Sequence, residues 1–221
     1  MKKLGTNYLL FLFLFFCSHV AFAQPFKDAI DEFHRLDDIT MPKKGSILFV
    51  GSSSFTNWKD VQEYFPAYPI INRGFGGSTL PDVIRYAEET IVKYAPKQIY
   101  IYCGENDIAA DPSISADTVL SRFKFLYSII RKKLKKNTPI VYVSMKPSIA
   151  RWKYESKIIE SNGLIKQFIE TQKNILFLDV HSAMLNPNGM VMSDIFLEDQ
   201  LHMNAKGYKI WQGIIAPTLI K

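Results

Sequence analysis

The sequence predicts an α/β fold in which a five-stranded parallel sheet carries helices on both faces. Five short, nearly continuous apolar runs lie at 47–50, 67–71, 98–103, 140–144 and 175–180. The segments between them place apolar residues at helical spacing, and the first three runs break abruptly into glycine, serine or asparagine. Short apolar runs without helical period are strands buried on both faces, and strands alternating with amphipathic helices give a parallel sheet.

Residues 1–23 are set apart from the fold. Lys2 and Lys3 form a basic start, 8–16 is uninterruptedly apolar, and Ala21-Phe22-Ala23 has the small-x-small form that signal peptidase cuts after. The expectation is a signal peptide over 1–23, one domain over 24–221, and a secreted or periplasmic protein. A membrane-spanning helix needs about 20 apolar residues, and Cys17-Ser18-His19 interrupts this stretch early. Bulky Leu14, Phe15 and Phe16 before Cys17 argue against a lipoprotein, so no stable membrane anchor is expected after cleavage.

From residue 24 the elements follow in order. An amphipathic helix is predicted over 26–39, and Met41-Pro42-Lys43-Lys44-Gly45 turns into the strand at 47–50. A short helix over 55–64, a strand over 67–71 ending at Asn72, and the glycine loop Arg73-Gly74-Phe75-Gly76-Gly77-Ser78 come next. Helix 80–94, strand 98–103, a loop through Asp111-Pro112, helix 116–135, strand 140–144, helix 155–171 and strand 175–180 continue the alternation. A long irregular segment, 181–204, precedes a last helix over 205–219. A connection of that length is more often functional than idle.

Charge and cysteine content narrow the classes. The net charge of +6 falls to +4 without Lys2 and Lys3, which gives little support to nucleic-acid binding. The densest basic run, Arg131-Lys132-Lys133-Leu134-Lys135-Lys136, ends a helix, where cations complement the dipole. Past residue 23 only Cys103 remains, which excludes an intrachain disulfide and a thiolate-built metal site in that part of the chain. Its place at the end of an apolar strand favours burial over catalysis.

In a parallel sheet the carboxyl ends of the strands lie along one edge, where ligands bind. Gly51-Ser52-Ser53-Ser54, Gly74 to Gly77, and Gly104-Glu105-Asn106-Asp107 all fall there. The three serines also suit a plain helix cap, and the residues alone do not choose among them. Asp199 and His202, in Glu198-Asp199-Gln200-Leu201-His202, are spaced to hydrogen-bond in a turn, and a carboxylate so placed fixes the imidazole tautomer that a serine hydroxyl needs. Of the other histidines, His34 precedes the first strand, and His181 has only Asp179 as a nearby acid in sequence.

These four stretches resemble, in order and spacing, the four sequence blocks of the SGNH (GDSL-like) hydrolases, and the similarity runs from about Ile47 to the last helix. The resemblance implies a flavodoxin-like three-layer α/β/α fold, similar to platelet-activating-factor acetylhydrolase-like esterases. It also implies Ser53 as nucleophile, His202 as base and Asp199 as its acid, with Gly77 and Asn106 joining the Ser53 backbone N–H in an oxyanion hole. The family's motif has aspartate and leucine where this chain has Ser52 and Ser54. No metal or organic cofactor is implied. An α/β-hydrolase elbow would need a second glycine two residues past Ser53, where Phe55 stands.

The expected function is that of a secreted serine esterase acting on a short acyl ester of a small molecule or carbohydrate, through an acyl-enzyme. A lipase or lysophospholipase on the same scaffold, and a non-catalytic binding module, are the alternatives. Lys146, Arg151 and Trp152, in the loop after the fourth strand, suit an anionic or sugar-like substrate, but equally a solvated or packed loop; Arg73 is open to the same two readings.

Overall fold

Strand β1 (Ile47–Gly51) is fully buried along its length and lies inside the sheet, pairing in parallel with β2 (Ile70–Gly74) on one side and β3 (Gln98–Tyr102) on the other. The computed structural model describes residues 24–221. With β4 (Ile140–Val143) and β5 (Ile175–Leu178) the sheet has five parallel strands in the order β2-β1-β3-β4-β5. The chain runs outward from β1 to β2 and then crosses back to β3. The carboxyl ends of β1 and β3 therefore flank the point where strand order reverses, which is where open α/β sheets bind ligands.

Alternate residues of the central strands feed two cores. Leu48, Val50, Ile99 and Ile101 face helices α1 (Lys27–Ile39), α4 (Leu80–Arg85), α5 (Ala87–Thr90), α7 (Ala116–Lys133) and α8 (Glu155–Glu170). Ile47, Phe49, Tyr100 and Tyr102 face the short helices α2 (Ser53–Thr56) and α3 (Val61–Tyr64) and the last long helix, α9 (Ala205–Ile215). Two helical layers thus enclose one sheet, the three-layer α/β/α arrangement that the resemblance implies. One more short helix, α6 (Glu105–Ala110), follows β3 directly.

Four local expectations are corrected. The helix expected over 55–64 starts at Ser53 and splits in two, because the Asn72 side-chain amide donates to the carbonyls of Phe55 (2.7 Å) and Trp58 (3.3 Å) and so satisfies groups that a continuing helix would have used. Strand β2 lies three residues later than 67–71 and includes Asn72, Arg73 and Gly74. Their polarity suggests a turn, but Asn72 is occupied as just described, and Arg73 is buried against Asp37 of α1 and the Tyr94 hydroxyl (2.6 Å). The segment 80–94 breaks at Tyr86 and Ile91, both buried and both off helical geometry. The loop expected after β3 holds α6, whose first four residues are buried.

Residues 1–23, with the signal-peptide expectation, lie outside the described residues. No described helix is long and apolar enough to cross a membrane.

Candidate active site

At the end of β1 the chain turns from strand into helix within one residue. Gly51 adopts φ +134°, the Ser52 N–H donates to the Tyr102 carbonyl of β3 (2.9 Å), and the Ser52 carbonyl accepts from the Phe55 (3.0 Å) and Thr56 (3.2 Å) N–H groups. Ser52 is therefore the N-cap of α2 and Ser53 its first residue. Burial separates the three serines: Ser52 and Ser54 are 3% and 2% exposed, whereas Ser53 is half-buried and reaches solvent. As the first residue of a helix, Ser53 also presents an N–H that has no backbone acceptor among the described residues.

The glycine loop closes over this turn. A Cβ placed on Gly76 would stand 3.8 Å from the Ser53 Cβ, so loop and serine are in near contact. Gly77 takes φ +85°, a left-handed conformation that side chains disfavour, and its N–H has no acceptor among the described residues. The Phe26 ring, at the start of α1, packs on the outer side of this loop against Phe75, with centroids 5.4 Å apart.

Asn106 enters from α6. Its Nδ2 donates to the Ser78 carbonyl (3.0 Å), which leaves one of its two N–H groups without a partner among the described residues. Its Oδ1 accepts from Arg151 Nη2 (2.8 Å). Neighbouring Asp107 is a structural anchor, accepting from the Leu80 N–H (2.8 Å) and pairing with Arg122 (2.7 Å). Burial pushes the Asp107 carboxyl up, and those partners only partly offset it.

Asp199 and His202 form the turn that their spacing predicts. Asp199 Oδ1 accepts from the N–H groups of Leu201 and His202 (both 2.9 Å), and Oδ2 lies 2.5 Å from His202 Nδ1. Against the upward push of burial, the backbone N–H and imidazole of His202 and the Leu201 N–H hold the Asp199 carboxyl down at about 2. An ionised carboxylate only accepts, so Nδ1 carries the ring proton and Nε2 is left as a base. The turn is anchored by Asn204, whose Nδ2 donates to the Asp194 and Phe196 carbonyls (both 2.9 Å) while its Oδ1 caps α9.

The four stretches form one connected set. Ser53 abuts the glycine loop, Ser78 in that loop holds Asn106, Asn106 holds Arg151, and the N–H of Ala150, next to Arg151, donates to the Gln200 carbonyl (3.2 Å) between Asp199 and His202. A sequence model of the GDSL-like lipase/acylhydrolase family matches residues 45–210, which span all four.

The chain belongs to the GDSL-like lipase/acylhydrolase family. It is accordingly an ester-hydrolysing serine hydrolase. No curated protein shows significant sequence similarity to it. Among solved structures, a Streptococcus pneumonia protein provisionally assigned as a platelet activating factor superposes with a TM-score of 0.76 at 20% identity, covering 87% of this chain and 92% of that one. A GDSL-like lipase from Bacteroides thetaiotaomicron gives 0.71 at 18% identity, covering 86% and 96%. An acetylxylan esterase from Geobacillus stearothermophilus, in a serine-to-alanine catalytic mutant, gives 0.62 at 17% identity, covering 79% and 94%. At these identities the superpositions speak for the fold.

The remaining polar candidates of this GDSL-like chain divide clearly. Lys146 is buried and pairs with Glu105 (3.3 Å), which also pairs with Arg151 (3.0 Å) and accepts from the Tyr102 hydroxyl (2.5 Å). Burial pushes the Glu105 carboxyl up, but Lys146, Arg151 and Tyr102 outweigh it and the net shift is downward; burial lowers Lys146 despite Glu105. His181 bonds to Glu155 (2.7 Å), 26 residues away, rather than to Asp179, which instead caps the Ser182 N–H (3.0 Å). Cys103 is buried, its thiol pushed well up by desolvation, as its place in the strand predicts. Glu105 escaped the sequence reading, although it sits between Gly104 and Asn106 and a buried acid there demands cationic partners. Among the described residues no group of three His, Cys, Asp or Glu side chains is placed to hold a metal ion.

Proposed function

We propose that this chain is an exported serine esterase that removes a short acyl group, such as acetyl, from a carbohydrate or other small ester through an acyl-enzyme. The observation that carries the reading is the Asp199–His202 pair, in which an ionised carboxylate fixes Nδ1–H and frees Nε2 as a base. His202 Nε2 takes the Ser53 hydroxyl proton as Oγ attacks the ester carbonyl. The negative charge that develops on the carbonyl oxygen meets the unpartnered N–H groups of Ser53, Gly77 and Asn106. The His202 imidazolium returns its proton to the departing alcohol, and water, activated by the same imidazole, releases the acid and restores Ser53.

The loop that carries Arg151 offers a place for a small organic group. Ile149 and Trp152, from the loop that carries Arg151, line an open apolar cavity of about 290 Å³ with Met190 and Val191. That volume accommodates a sugar ring or short acyl group, and Trp152 is 37% exposed, leaving its indole available to stack on a sugar. The fold shared with an acetylxylan esterase supports the same substrate class. Export rests on the leader at 1–23.

The test is to treat the protein lacking residues 1–23 with a fluorophosphonate and map the adduct by peptide mass, then compare hydrolysis of acetyl and longer acyl esters, including acetylated xylo-oligosaccharides. An adduct on Ser53, lost in His202→Ala, with activity falling as the acyl chain lengthens, is expected. No adduct on folded protein would refute the nucleophile, and preference for long acyl chains would turn the reading to a lipase.

A further inference from the structure

We infer that Arg151 is a positioning residue for catalysis: its guanidinium locks the Asn106 side-chain amide in the one orientation that presents an N–H to the oxyanion. The inference rests on the functional reading above. A primary amide is nearly symmetric in shape and opposite in polarity at its two ends, so a half-turn replaces a donor by a lone pair. Toward a developing oxyanion, the first stabilises and the second repels.

Two partners of opposite polarity remove that freedom. The Ser78 carbonyl can only accept, and it takes Nδ2–H at 3.0 Å. Arg151 can only donate, and its Nη2 reaches Oδ1 at 2.8 Å. Flipping the amide would set oxygen against oxygen and N–H against N–H. Ser78 alone would select the same orientation, but with a single hydrogen bond; the charged bond from Arg151 is the stronger of the two. It also draws electron density from the amide oxygen, making the remaining N–H a better donor.

Arg151 is itself held for this task. Its Nη1 lies 3.0 Å from Glu105 Oε1, and Glu105 directly precedes Asn106 in the chain. The Glu105 carboxylate is buried and tied down by Lys146 and Tyr102. One planar guanidinium thus bridges the carboxylate and the amide of consecutive residues, a fork that a lysine ammonium does not reproduce. Both of these bonds point Arg151 at residues 105 and 106, so its role runs through Asn106.

A double-mutant cycle tests this, with kcat and KM for an aryl acetate and thermal unfolding measured for wild type, Asn106→Ala, Arg151→Ala, the double variant and Arg151→Lys. Asn106→Ala is expected to lower kcat on the order of 10²–10³-fold. Arg151→Ala should lower kcat roughly 10–100-fold with KM little changed, by losing part of what that donor supplies. The double variant should be no slower than Asn106→Ala, and Arg151→Lys should recover only part of the loss. Arg151→Met, which removes the donor but keeps much of the side chain's length, replaces Arg151→Ala should that variant not fold. If the Arg151 loss multiplies onto that of Asn106→Ala, or if kcat is unchanged in the Arg151 variants, the positioning role is wrong while the esterase reading stands. No turnover by the wild type, or full turnover by Asn106→Ala, overturns the esterase mechanism and this inference with it.

Discussion

Gly51→Ala is expected to destabilise the protein severely, because the residue before the serine turn has no space for a side chain. A Cβ at Gly51 would lie 1.9 Å from the Tyr102 carbonyl oxygen and 2.7 Å from its carbon, both backbone atoms of the neighbouring strand. Strands β1 and β3 would have to part by about 1 Å, against a normal spacing of about 4.8 Å. The same Tyr102 oxygen accepts the Ser52 N–H, so moving it loosens the bond that places the serine turn. Overpacking contributes roughly 1–3 kcal/mol. The φ of +134° adds roughly 1–3 kcal/mol for a non-glycine residue, and the weakened hydrogen bond about 1 kcal/mol. The total of roughly 3–7 kcal/mol is a large part of a typical 5–15 kcal/mol stability, and at 2–4 °C per kcal/mol it predicts a Tm lower by about 6–28 °C. Thermal unfolding followed by near-UV circular dichroism reads it, with fluorophosphonate labelling of Ser53 measured well below Tm. Gly163→Ala is the control: it lies inside α8 with nothing within 4 Å of its Cβ, and a gain of about 0.5–1 kcal/mol is expected. A Gly51→Ala protein that melts within about 2 °C of wild type and labels normally would refute the geometry of the turn.

Two further outcomes follow from the same structure. Asp199→Asn should lower kcat by roughly 10³–10⁴ with little change in Tm, because an amide no longer enforces the Nδ1–H tautomer. Since Asp199 ionises at about 2, the deficit should persist across the working pH range; recovery of kcat at higher pH would count against the assignment. At the alkaline end, burial pushes Tyr94 and Tyr100 up to about 12, and Tyr102 and Tyr142 well up too, from an ordinary value of about 10. Groups whose folded pKa is raised contribute stability that is complete below pH 10 and lost as pH climbs toward 12, on the order of 2–3 kcal/mol for each of the first two. Absorbance at 295 nm and circular dichroism should therefore change together and cooperatively in that window; smooth titration near pH 10 without unfolding would contradict the burial.

What the sequence determined by itself is the part of the structure that local chemistry encodes. Runs such as 47–50 and 98–103 are apolar on both faces, so they had to be buried parallel strands, and they appear within one residue of where the pattern puts them. Asp199 and His202 meet because three residues suffice to close a turn. Only the tertiary structure decided the rest, because the deciding partner lies far away in the chain. Asn72 and Arg73 look like turn residues, yet both belong to β2, held there by side-chain bonds to partners 14 to 36 residues away. Which serine reaches solvent depends on the packing around Ser52 and Ser54, which spacing does not encode. His181 takes Glu155 rather than the adjacent Asp179, and Arg151 finds Asn106 across 45 residues. A buried charge or amide must be satisfied by whatever group the fold brings to it, and that choice exists only once the sheet has placed its loops along one edge.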